Sequence, residues 1–395
     1  MSNSKYTTKK SISMQRSRNN PSVSANTYED TKKLTDAENI MELDSTRPTN
    51  IGYIVCDVTY GTHVSFTTRS DLHFASAKPE VLKTLDEYYK NTITSIIDHG
   101  DMLQTAVEGH HQGEALESRL SPDEERLLFK KSLSQYPEKI VAACGGNHDD
   151  PEFANRLKDH GVSMLKATYE EFGIPYHANS LVVEFRVPVV KSNKIVGKTS
   201  LWCVVMHCNG RTSAKKLASV AKTYDQGLGV IERFNYLYGK NITPDFILGG
   251  HFHANADTDY LVERNIYDEK GKAIGSYMHT IRVRSNSTLQ DSFSSAFNRS
   301  FPGVLIPNFT QFDVHFEVNP NYEPTAMNTA PKYIPVVTEF NILNKSGELS
   351  IPAKQYMQVR KDYDFTNEVR KEQEGQKSIL KVVKEVEKQS GKERV

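Results

Sequence analysis

The sequence predicts an α/β domain built in layers, and three observations support this prediction. Short runs rich in β-branched residues alternate with longer segments whose apolar residues recur at helical spacing. Several of the strand-like runs are followed at once by Asp, Asn or His. Beyond residue 255 the chain is mostly strand-like. Alternating strands and helices are typical of layered α/β domains, in which ligands bind outside the strand ends.

The first half of the predicted domain begins near residue 51. Predicted strands lie at 51–59, 63–68 and 140–144, and predicted helices lie within 80–98 and at 122–134. The first two strands flank Tyr60-Gly61-Thr62, so we expect a hairpin or a pair of neighbouring strands there. The polar stretch 104–120 has no clear period and is predicted to be a loop insertion.

The second half of the predicted domain continues the alternation. Predicted helices lie at 153–158, 164–172 and 214–238, and predicted strands at 180–190, 199–206, 246–248, 275–284, 311–318 and 335–343. Little helix is expected between the last three strands, which indicates a β-rich extension of the main domain.

Composition and charge exclude several classes of protein. Lys plus Arg equals Asp plus Glu at 49 each, so no overall field favours nucleic acid or an anionic membrane. No run approaches the ~20 apolar residues of a membrane span, and the N-terminal segment lacks the apolar run of a signal peptide. We therefore expect a cytoplasmic protein without a membrane partner. A P-loop, a GxGxxG motif and paired-cysteine metal motifs are also absent from the sequence.

Five short segments carry the residues suited to chemistry. They are Asp71-Leu72-His73, Gly100-Asp101, Gly146-Asn147-His148-Asp149, Met206-His207 and Gly250-His251-Phe252-His253. A divalent ion that catalyses hydrolysis needs oxygen and nitrogen ligands and one open position. The segments offer Asp, Asn and His ligands in numbers too large for one ion and suitable for two that share a carboxylate. In an extended segment, residues two apart face the same side, as do Asp71 with His73 and His251 with His253.

The order of these segments resembles the motif order of the calcineurin-like metallophosphoesterase superfamily, which is DxH, GD, GNH[DE], H and GHxH. The resemblance covers residues 71–253 and implies a four-layer αββα sandwich of two mixed sheets with a dinuclear metal site at their edge. It implies that one metal is held by Asp71, His73 and His253, and the other by Asn147, His207 and His251, with Asp101 bridging both. Two divalent ions are expected, with Mn first and Fe or Zn as alternatives.

The resemblance also implies roles for two residues that do not bind metal. His148 is expected to contact the phosphate and to help protonate the leaving oxygen. Asp149 is expected to orient the His148 imidazole and to raise its basicity. Two cations ~3.5–4 Å apart would activate a bridging hydroxide for in-line attack.

Within the superfamily the motifs favour a phosphodiesterase or nuclease. Phosphoprotein phosphatases carry GDxVDRG and an Arg before GNHE, whereas this chain has Gly100-Asp101-Met102-Leu103-Gln104 and Gly145-Gly146-Asn147-His148-Asp149. We expect a phosphodiester substrate, with DNA or RNA slightly ahead of a small nucleotide. Candidate contacts to DNA are Arg282, Arg284, Arg299 and the basic N-terminal tail. The alternatives are a nucleotide or other phosphomonoester phosphatase and, in another class, a non-catalytic scaffold that retains the fold.

Composition divides the chain into four predicted regions. Residues 1–48 contain few large apolar side chains and are predicted to be a disordered tail. Residues 49–260 are predicted to form the metallophosphoesterase catalytic domain, and 261–360 a β-rich extension that completes or caps the sandwich. Residues 361–395 are predicted to form a charged C-terminal helix. A protein partner that binds through the two tails is a further expectation.

Overall fold

The computed structural model places the predicted elements in two sheets. The structure describes residues 51–57, 63–105, 120–149, 164–178, 180–191, 194–209, 216–253, 256–267, 272–286, 288–289, 309–322 and 331–362. The predicted N-terminal tail, the predicted helix at 153–158, most of the predicted loop insertion and all but the first two residues of the predicted C-terminal helix lie outside the described residues.

The described residues form twelve strands. They are β1 (Ile51–Asp57), β2 (His63–Arg69), β3 (Ser95–His99), β4 (Ile140–Cys144), β5 (Tyr176–His177), β6 (Ser180–Lys191), β7 (Lys194–His207), β8 (Phe246–Gly250), β9 (Ala256–Tyr267), β10 (Ala273–Ser285), β11 (Thr310–Val318) and β12 (Tyr333–Asn341).

Five α-helices and one short 3₁₀ helix accompany these strands in the described part of the chain. The helices are α1 (Pro79–Asn91), α2 (Pro122–Leu133), α3 (Met164–Glu171), α4 (Lys216–Tyr238) and α5 (Ile351–Asp362), and the 3₁₀ helix is Pro137–Lys139. None of these described helices has the length and apolar character needed to cross a lipid bilayer.

The strands form two six-stranded mixed sheets. One has the order β1-β6-β7-β8-β10-β9, and the other has the order β12-β11-β2-β3-β4-β5. In the first sheet β7, β8 and β10 run parallel, and in the second β2, β3, β4 and β5 run parallel. The predicted α/β class with two mixed sheets is therefore confirmed.

Three clusters of buried side chains separate the layers. One cluster lies between the sheets and includes Phe66 and Phe312 from one sheet and Phe185 and Phe246 from the other. A second joins the β2-containing sheet to α1, α2, α3 and α5, and a third joins the β7-containing sheet to α4. Because the inner strands are covered on both faces, their sequences are nearly continuous apolar runs. This arrangement is consistent with a sandwich.

The start of α2 shows how the sequence sets one helix. Ser121 and Glu124 form a capping box, and Pro122 occupies the first turn, where its missing N–H costs nothing. Glu125, Phe129 and Leu133 follow at intervals of four residues and are buried on one face of the helix. The burial of Glu125 on that face is important for the site below.

The expected pairing of the first two strands is wrong. β1 pairs in parallel with β6 in one sheet, whereas β2 pairs with β3 and β11 in the other. Both strands are rich in β-branched residues, and that composition does not distinguish a hairpin from two strands that belong to different sheets.

The chain beyond residue 255 contributes to both sheets. β9 and β10 form an antiparallel edge of one sheet, and β11 and β12 extend the other. The sequence reasoning missed β9, whose alternation of charged and apolar residues suits an exposed edge strand, and it missed α5 inside the predicted β-rich extension. The division of the chain at residues 260 and 360 stays a prediction.

Replacing Phe66 by Ala tests the core between the sheets. The Phe66 ring is fully buried, with ring centroids 4.8 Å from Phe312, 5.4 Å from Phe185 and 5.5 Å from Phe246. We expect Phe66→Ala to lower the free energy of unfolding by about 3–5 kcal/mol, measured by urea denaturation. Leu261→Ala, at an exposed position, is the control and should change it by less than about 0.5 kcal/mol. Equal losses in the two variants would contradict the layered core.

Candidate metal centre

The predicted ligands converge because parallel strands end at the same edge. Asp71 and His73 follow β2, Asp101 follows β3 and Asn147 follows β4, while His207 ends β7 and His251 and His253 follow β8. β2, β3 and β4 are parallel neighbours in one sheet, and β7 and β8 are parallel neighbours in the other. Residues from both sheets thus meet at one end of the molecule.

The backbone at these positions has an uncommon conformation. Six non-glycine residues in the described part of the chain have positive φ, namely Asp71 (53°), His73 (45°), Asp101 (53°), Thr105 (43°), His251 (82°) and His253 (51°). Five of them are predicted metal ligands. Such a conformation costs on the order of 1–3 kcal/mol per residue and persists only where the surroundings enforce it, which is common at functional sites.

Hydrogen bonds between the strand-end loops hold this backbone. The N–H of Asp71 donates to the carbonyl of Gly100, and the N–H of His73 donates to the carbonyl of Asp101, both at 3.1 Å. The N–H of His251, from the other sheet, donates to both carboxylate oxygens of Asp71 at 2.9 and 3.1 Å. The last bond joins the ligand loops of the two sheets.

Two glycines leave room for the ligands. A Cβ on Gly146 would lie 2.2 Å from Oδ1 of Asp101, and one on Gly100 would lie 2.6 Å from Nδ1 of His207. Gly100 also has φ +88°, which residues with a side chain rarely adopt. The GD and GN pairs of the motifs thus have a steric reason in this chain.

Asp71, His73 and His253 form the first cluster of metal-ligating side chains. One ligand atom from each lies within 4.8 Å of the others. Nε2 of His253 is 3.2 Å from Nε2 of His73 and 3.2 Å from Oδ1 of Asp71. The second oxygen of Asp71 accepts the hydroxyl proton of Ser70 at 2.6 Å. The first cluster contains the ligands that the resemblance implies for one metal.

Asp101, His207 and His251 form the second cluster, and Asn147 lies between its members. Oδ1 of Asn147 is 3.0 Å from Nε2 of His207 and 2.7 Å from Nδ1 of His251. Oδ2 of Asp101 is 3.1 Å from Nε2 of His207. The second cluster contains the ligands implied for the other metal. The bridging role of Asp101 stays a prediction.

The donor set fits divalent cations. Nδ1 of His207 donates to the carbonyl of His99 at 3.1 Å, so Nε2 is the ring atom that faces the oxygens of Asp101 and Asn147. A divalent cation can take the place of the proton that Nε2 shares with these oxygens. Asp71 and Asp101 are also fully buried carboxylates, and within the described residues their ion pairs are with histidines. A buried carboxylate is costly unless its charge is balanced.

The pKa of His73 in the first cluster is lowered, whereas that of His207 in the second is raised. Burial lowers the pKa of His73 to about 3, and the neighbouring His148 and His253 act in the same direction. Burial also opposes the charged form of His207, but the charge and hydrogen bond of Asp101 outweigh it and raise the pKa of His207 to about 9. The His73 imidazole is therefore neutral, while His207 holds a proton that a bound cation would displace.

His148 lies beside the first cluster. Its ring centroid is 4.8 Å from that of His73, and its ring atom Nδ1 is 3.2 Å from the carbonyl of Gln104. Its backbone N–H donates to Oδ1 of Asp101 at 2.8 Å. Because a carbonyl only accepts, Nδ1 carries the proton in the bond to Gln104.

Asp149 accepts hydrogen bonds from the backbone of the ligand loops. Its carboxylate accepts backbone N–H groups from Met102 at 2.7 Å, Gly146 at 2.8 Å and Leu103 at 3.3 Å. Burial raises its pKa to about 8, and the charge of Asp101 adds to the rise. The described contacts thus make Asp149 a residue that holds the ligand loops, because the N–H groups of these tight loops need an acceptor. Its expected action on the His148 imidazole stays a prediction.

Glu125 is a buried residue of the site that sequence reasoning missed. One carboxylate oxygen accepts the N–H of Ala75 at 2.8 Å and that of Gln104 at 2.7 Å, and the other accepts the N–H of Thr105 at 3.1 Å. The loop after β2 is thereby tied to the loop after β3. The available signal was an acidic residue four positions before Phe129, on the apolar face of α2.

Two further interactions hold the strand end and the loop that precede and contain the first cluster's Asp71. Arg69, at the end of β2, makes two hydrogen bonds of 2.6 Å to the carboxylate of Asp98 in β3, and both side chains are buried. Thr288, after β10, donates its hydroxyl to the carbonyl of Asp71 at 2.9 Å. His99 is buried, and Nδ2 of Asn286 lies 3.3 Å from its Nε2.

The candidate DNA contacts are only partly described. Arg284 is paired with Asp259 at 2.8 Å and with Glu339 at 2.7 Å, and Arg282 lies toward the opposite end of β8. Arg299 and the N-terminal tail lie outside the described residues.

Comparisons with known proteins add little. The chain matches no family model and no curated protein. Among solved structures it is similar to the 5'-nucleotidase from Candida albicans SC5314, with 11% identity and a TM-score of 0.31 over 80% of this chain and 58% of that chain. This chain therefore spans less than two thirds of the length of that structure. A likeness of this degree bears on neither activity nor substrate, which rest on the site itself.

Metal titration tests the two clusters. We expect the metal-free protein to bind two Mn²⁺ ions per chain by isothermal titration calorimetry and to gain thermal stability as it does so. His253→Ala removes a ligand from the first cluster alone and should reduce the stoichiometry to one. His63→Ala, exposed at the start of β2, should leave it at two. Binding of fewer than about one ion by the unaltered chain would contradict the assignment.

Glu125→Gln tests the support of the ligand loops. The amide replaces an acceptor with a donor next to backbone N–H groups, so the loops should lose their fixed position. We expect Mn²⁺ affinity to fall by about 10–100-fold, the usual effect of losing a group that orients ligands. Asp123→Asn, exposed on the same helix, is the matched control. Unchanged affinity in Glu125→Gln would show that the loops keep their position without this carboxylate.

Proposed function

We propose that this protein is a metal-dependent phosphoester hydrolase of the calcineurin-like metallophosphoesterase type that cleaves phosphodiester bonds. The observation that supports this best is the pair of ligand clusters at one edge of the sheets, with His148 beside the first. Clusters of Asp, Asn and His suit Mn, Fe or Zn, and we propose Mn first.

The seven proposed ligands would hold two ions. Asp71, His73 and His253 would hold one, Asn147, His207 and His251 the other, and Asp101 would bridge them. When bound, a pair of divalent ions lowers the pKa of water and stabilises charge on phosphoryl oxygens. The chain keeps its ligands in place through buried hydrogen bonds such as that from Nδ1 of His207 to the carbonyl of His99.

His148 is the proposed general acid. The hydrogen bond from its Nδ1 to the carbonyl of Gln104 fixes the tautomer and the ring orientation. When the ring carries a second proton, Nε2 is then the atom that would donate it to the leaving oxygen of the substrate. Its backbone N–H, bonded to Asp101, ties the ring to the ligand that we propose as the bridge.

Among the described residues, the scarcity of guanidinium and ammonium groups at the site favours a diester. Arg69, which lies just before Asp71, is paired with Asp98. In the same described part of the chain, the side chains that pair with Asp71 and Asp101 are imidazoles. A phosphodiester carries one negative charge and a monoester close to two, so the monoester gains more from a guanidinium at the site.

A small nucleotide is the second candidate substrate, either as a diester or as a monoester. The net charge is zero, and Arg284, a candidate DNA contact, is engaged with Asp259 and Glu339. Binding of DNA by counterion release needs several cationic groups together. The cytoplasmic location and a protein partner for the tails stay predictions.

A substrate panel tests the function. We expect Mn²⁺-loaded protein to hydrolyse bis-p-nitrophenyl phosphate and at least one of DNA, RNA or a cyclic nucleotide. Asp101→Asn should lose metal and activity together. His148→Ala should keep both ions and lose about 10²–10⁴-fold in kcat, the usual contribution of a general acid. His63→Ala is the control.

Three outcomes would count against this proposal. Activity on monoesters alone would refute diester cleavage. A loaded protein that is inert toward every substrate would favour the scaffold alternative. Equal activity in His148→Ala and the unaltered chain would remove its role as the acid.

A further inference from the structure

A cavity lies at the end of the strands opposite the candidate metal centre, and residues of both sheets line it. Its volume is about 410 Å³, and residues of β7, β9, β10, β11 and β12 line it. Asp245 at this cavity precedes β8, whereas His251 of the metal centre follows β8. At ~3.3 Å per residue, the six steps between them separate the two sites by roughly 20 Å. We call this cavity the far pocket.

Positive charge dominates the far pocket. Arg264, Arg282 and Lys332 line it, and among the described residues Asp245 supplies its one carboxylate. One oxygen of Asp245 accepts the N–H of Trp202 at 2.8 Å, the other lies 3.6 Å from Nε2 of His279, and the charges of Arg264 and Arg282 act on this carboxyl group as well. The described lining therefore has three cationic side chains and one acid.

Arg282 and Arg284 differ in their hydrogen-bond partners. They are two residues apart on β10 and so share a face of the sheet. Arg284 forms ion pairs with Asp259 and Glu339. Nη1 of Arg282 is buried and has no hydrogen-bond partner within the described residues. Its guanidinium carbon lies 5.7 Å from the ring centroid of Phe246, at the edge of the apolar core.

A buried guanidinium N–H without an acceptor is costly, and an oxyanion toward which the side chain turned would remove that cost. Guanidinium presents a planar fork that matches the oxygens of phosphate and carboxylate. Arg264, on the neighbouring strand β9, pairs with Tyr277 and donates from Nη1 to its hydroxyl at 3.2 Å, on the face of the sheet opposite to Arg282. Both arginines nevertheless line the cavity.

The remaining walls suit an organic anion. Trp202, Tyr277 and Tyr333 provide aromatic surface, and the volume lies within the ~300–1,000 Å³ range of small-molecule sites. We propose that the far pocket binds a small molecule bearing a phosphate or carboxylate group, which the cationic side chains that line the pocket would hold. This site is separate from the proposed hydrolytic centre and does not depend on its function.

Isothermal titration calorimetry on the full-length chain tests this site. The probes are inorganic phosphate, adenosine 5'-monophosphate and citrate, and EDTA is present so that no ion in the metal centre holds them. We expect at least one probe to bind. Arg282→Gln and Arg264→Gln should each weaken it by about tenfold or more, as expected for losing a charged hydrogen bond. A comparison of phosphate with citrate shows whether the pocket prefers a phosphate or a carboxylate group.

Two matched variants make the result decisive. Arg233→Gln removes the same charge from an exposed position on α4 and should leave binding unchanged. Lys332→Gln, at an exposed position of the pocket, should weaken binding even if an arginine variant fails to fold, which thermal unfolding would reveal. The proposal is overturned if no probe binds, if the pocket variants bind like the unaltered chain, or if Arg233→Gln weakens binding equally.

Discussion

Two buried carboxylates, Asp71 and Asp101, set the constraint that the rest of the structure satisfies. Neither is more than 1% exposed, and such groups are stable only when hydrogen bonds and opposite charge surround them. The donors come from both sheets, since the N–H of His251 serves Asp71 and the N–H of His148 serves Asp101. The parallel strands must therefore end at one edge, and the left-handed backbone at the ligands is stable only because these bonds hold it.

The motifs predicted which residues meet, because a ligand set depends on side-chain type and on strand-end position, both readable in sequence. Bounds of regular elements such as β4 were also predictable, since apolar runs and capping residues determine them locally. The sheet that β1 joins was not predictable, because pairing with β6 depends on contacts more than 100 residues away. The conformation of the ligand residues was equally hidden, since Asp and His seldom adopt positive φ without tertiary enforcement.

Two buried acids, Asp149 and Glu125, support the ligand loops. The expectation that Asp149 acts on the imidazole beside it, that of His148, stays a prediction. In this fold the loops after β3 and β4 turn so tightly that their N–H groups lack strand partners, and buried N–H groups must find acceptors. Asp149 serves Met102, Leu103 and Gly146, as Glu125 serves the loop after β2. Buried acids therefore stabilise loop backbone here, a role that residue type alone does not reveal.

The zero net charge conceals a separation of charge along the sandwich. At the edge formed by the ends of β2 and β8, carboxylates and imidazoles face one another and attract cations. At the far pocket, the described lining has more guanidinium groups than carboxylates, a balance that attracts anions. A net charge of zero excludes a strong overall electrostatic field. It does not exclude local charge at a site a few residues wide, because screening over ~8–10 Å leaves each site under the influence of its own neighbours. The far pocket and the metal centre can thus select ligands of opposite charge within one neutral chain.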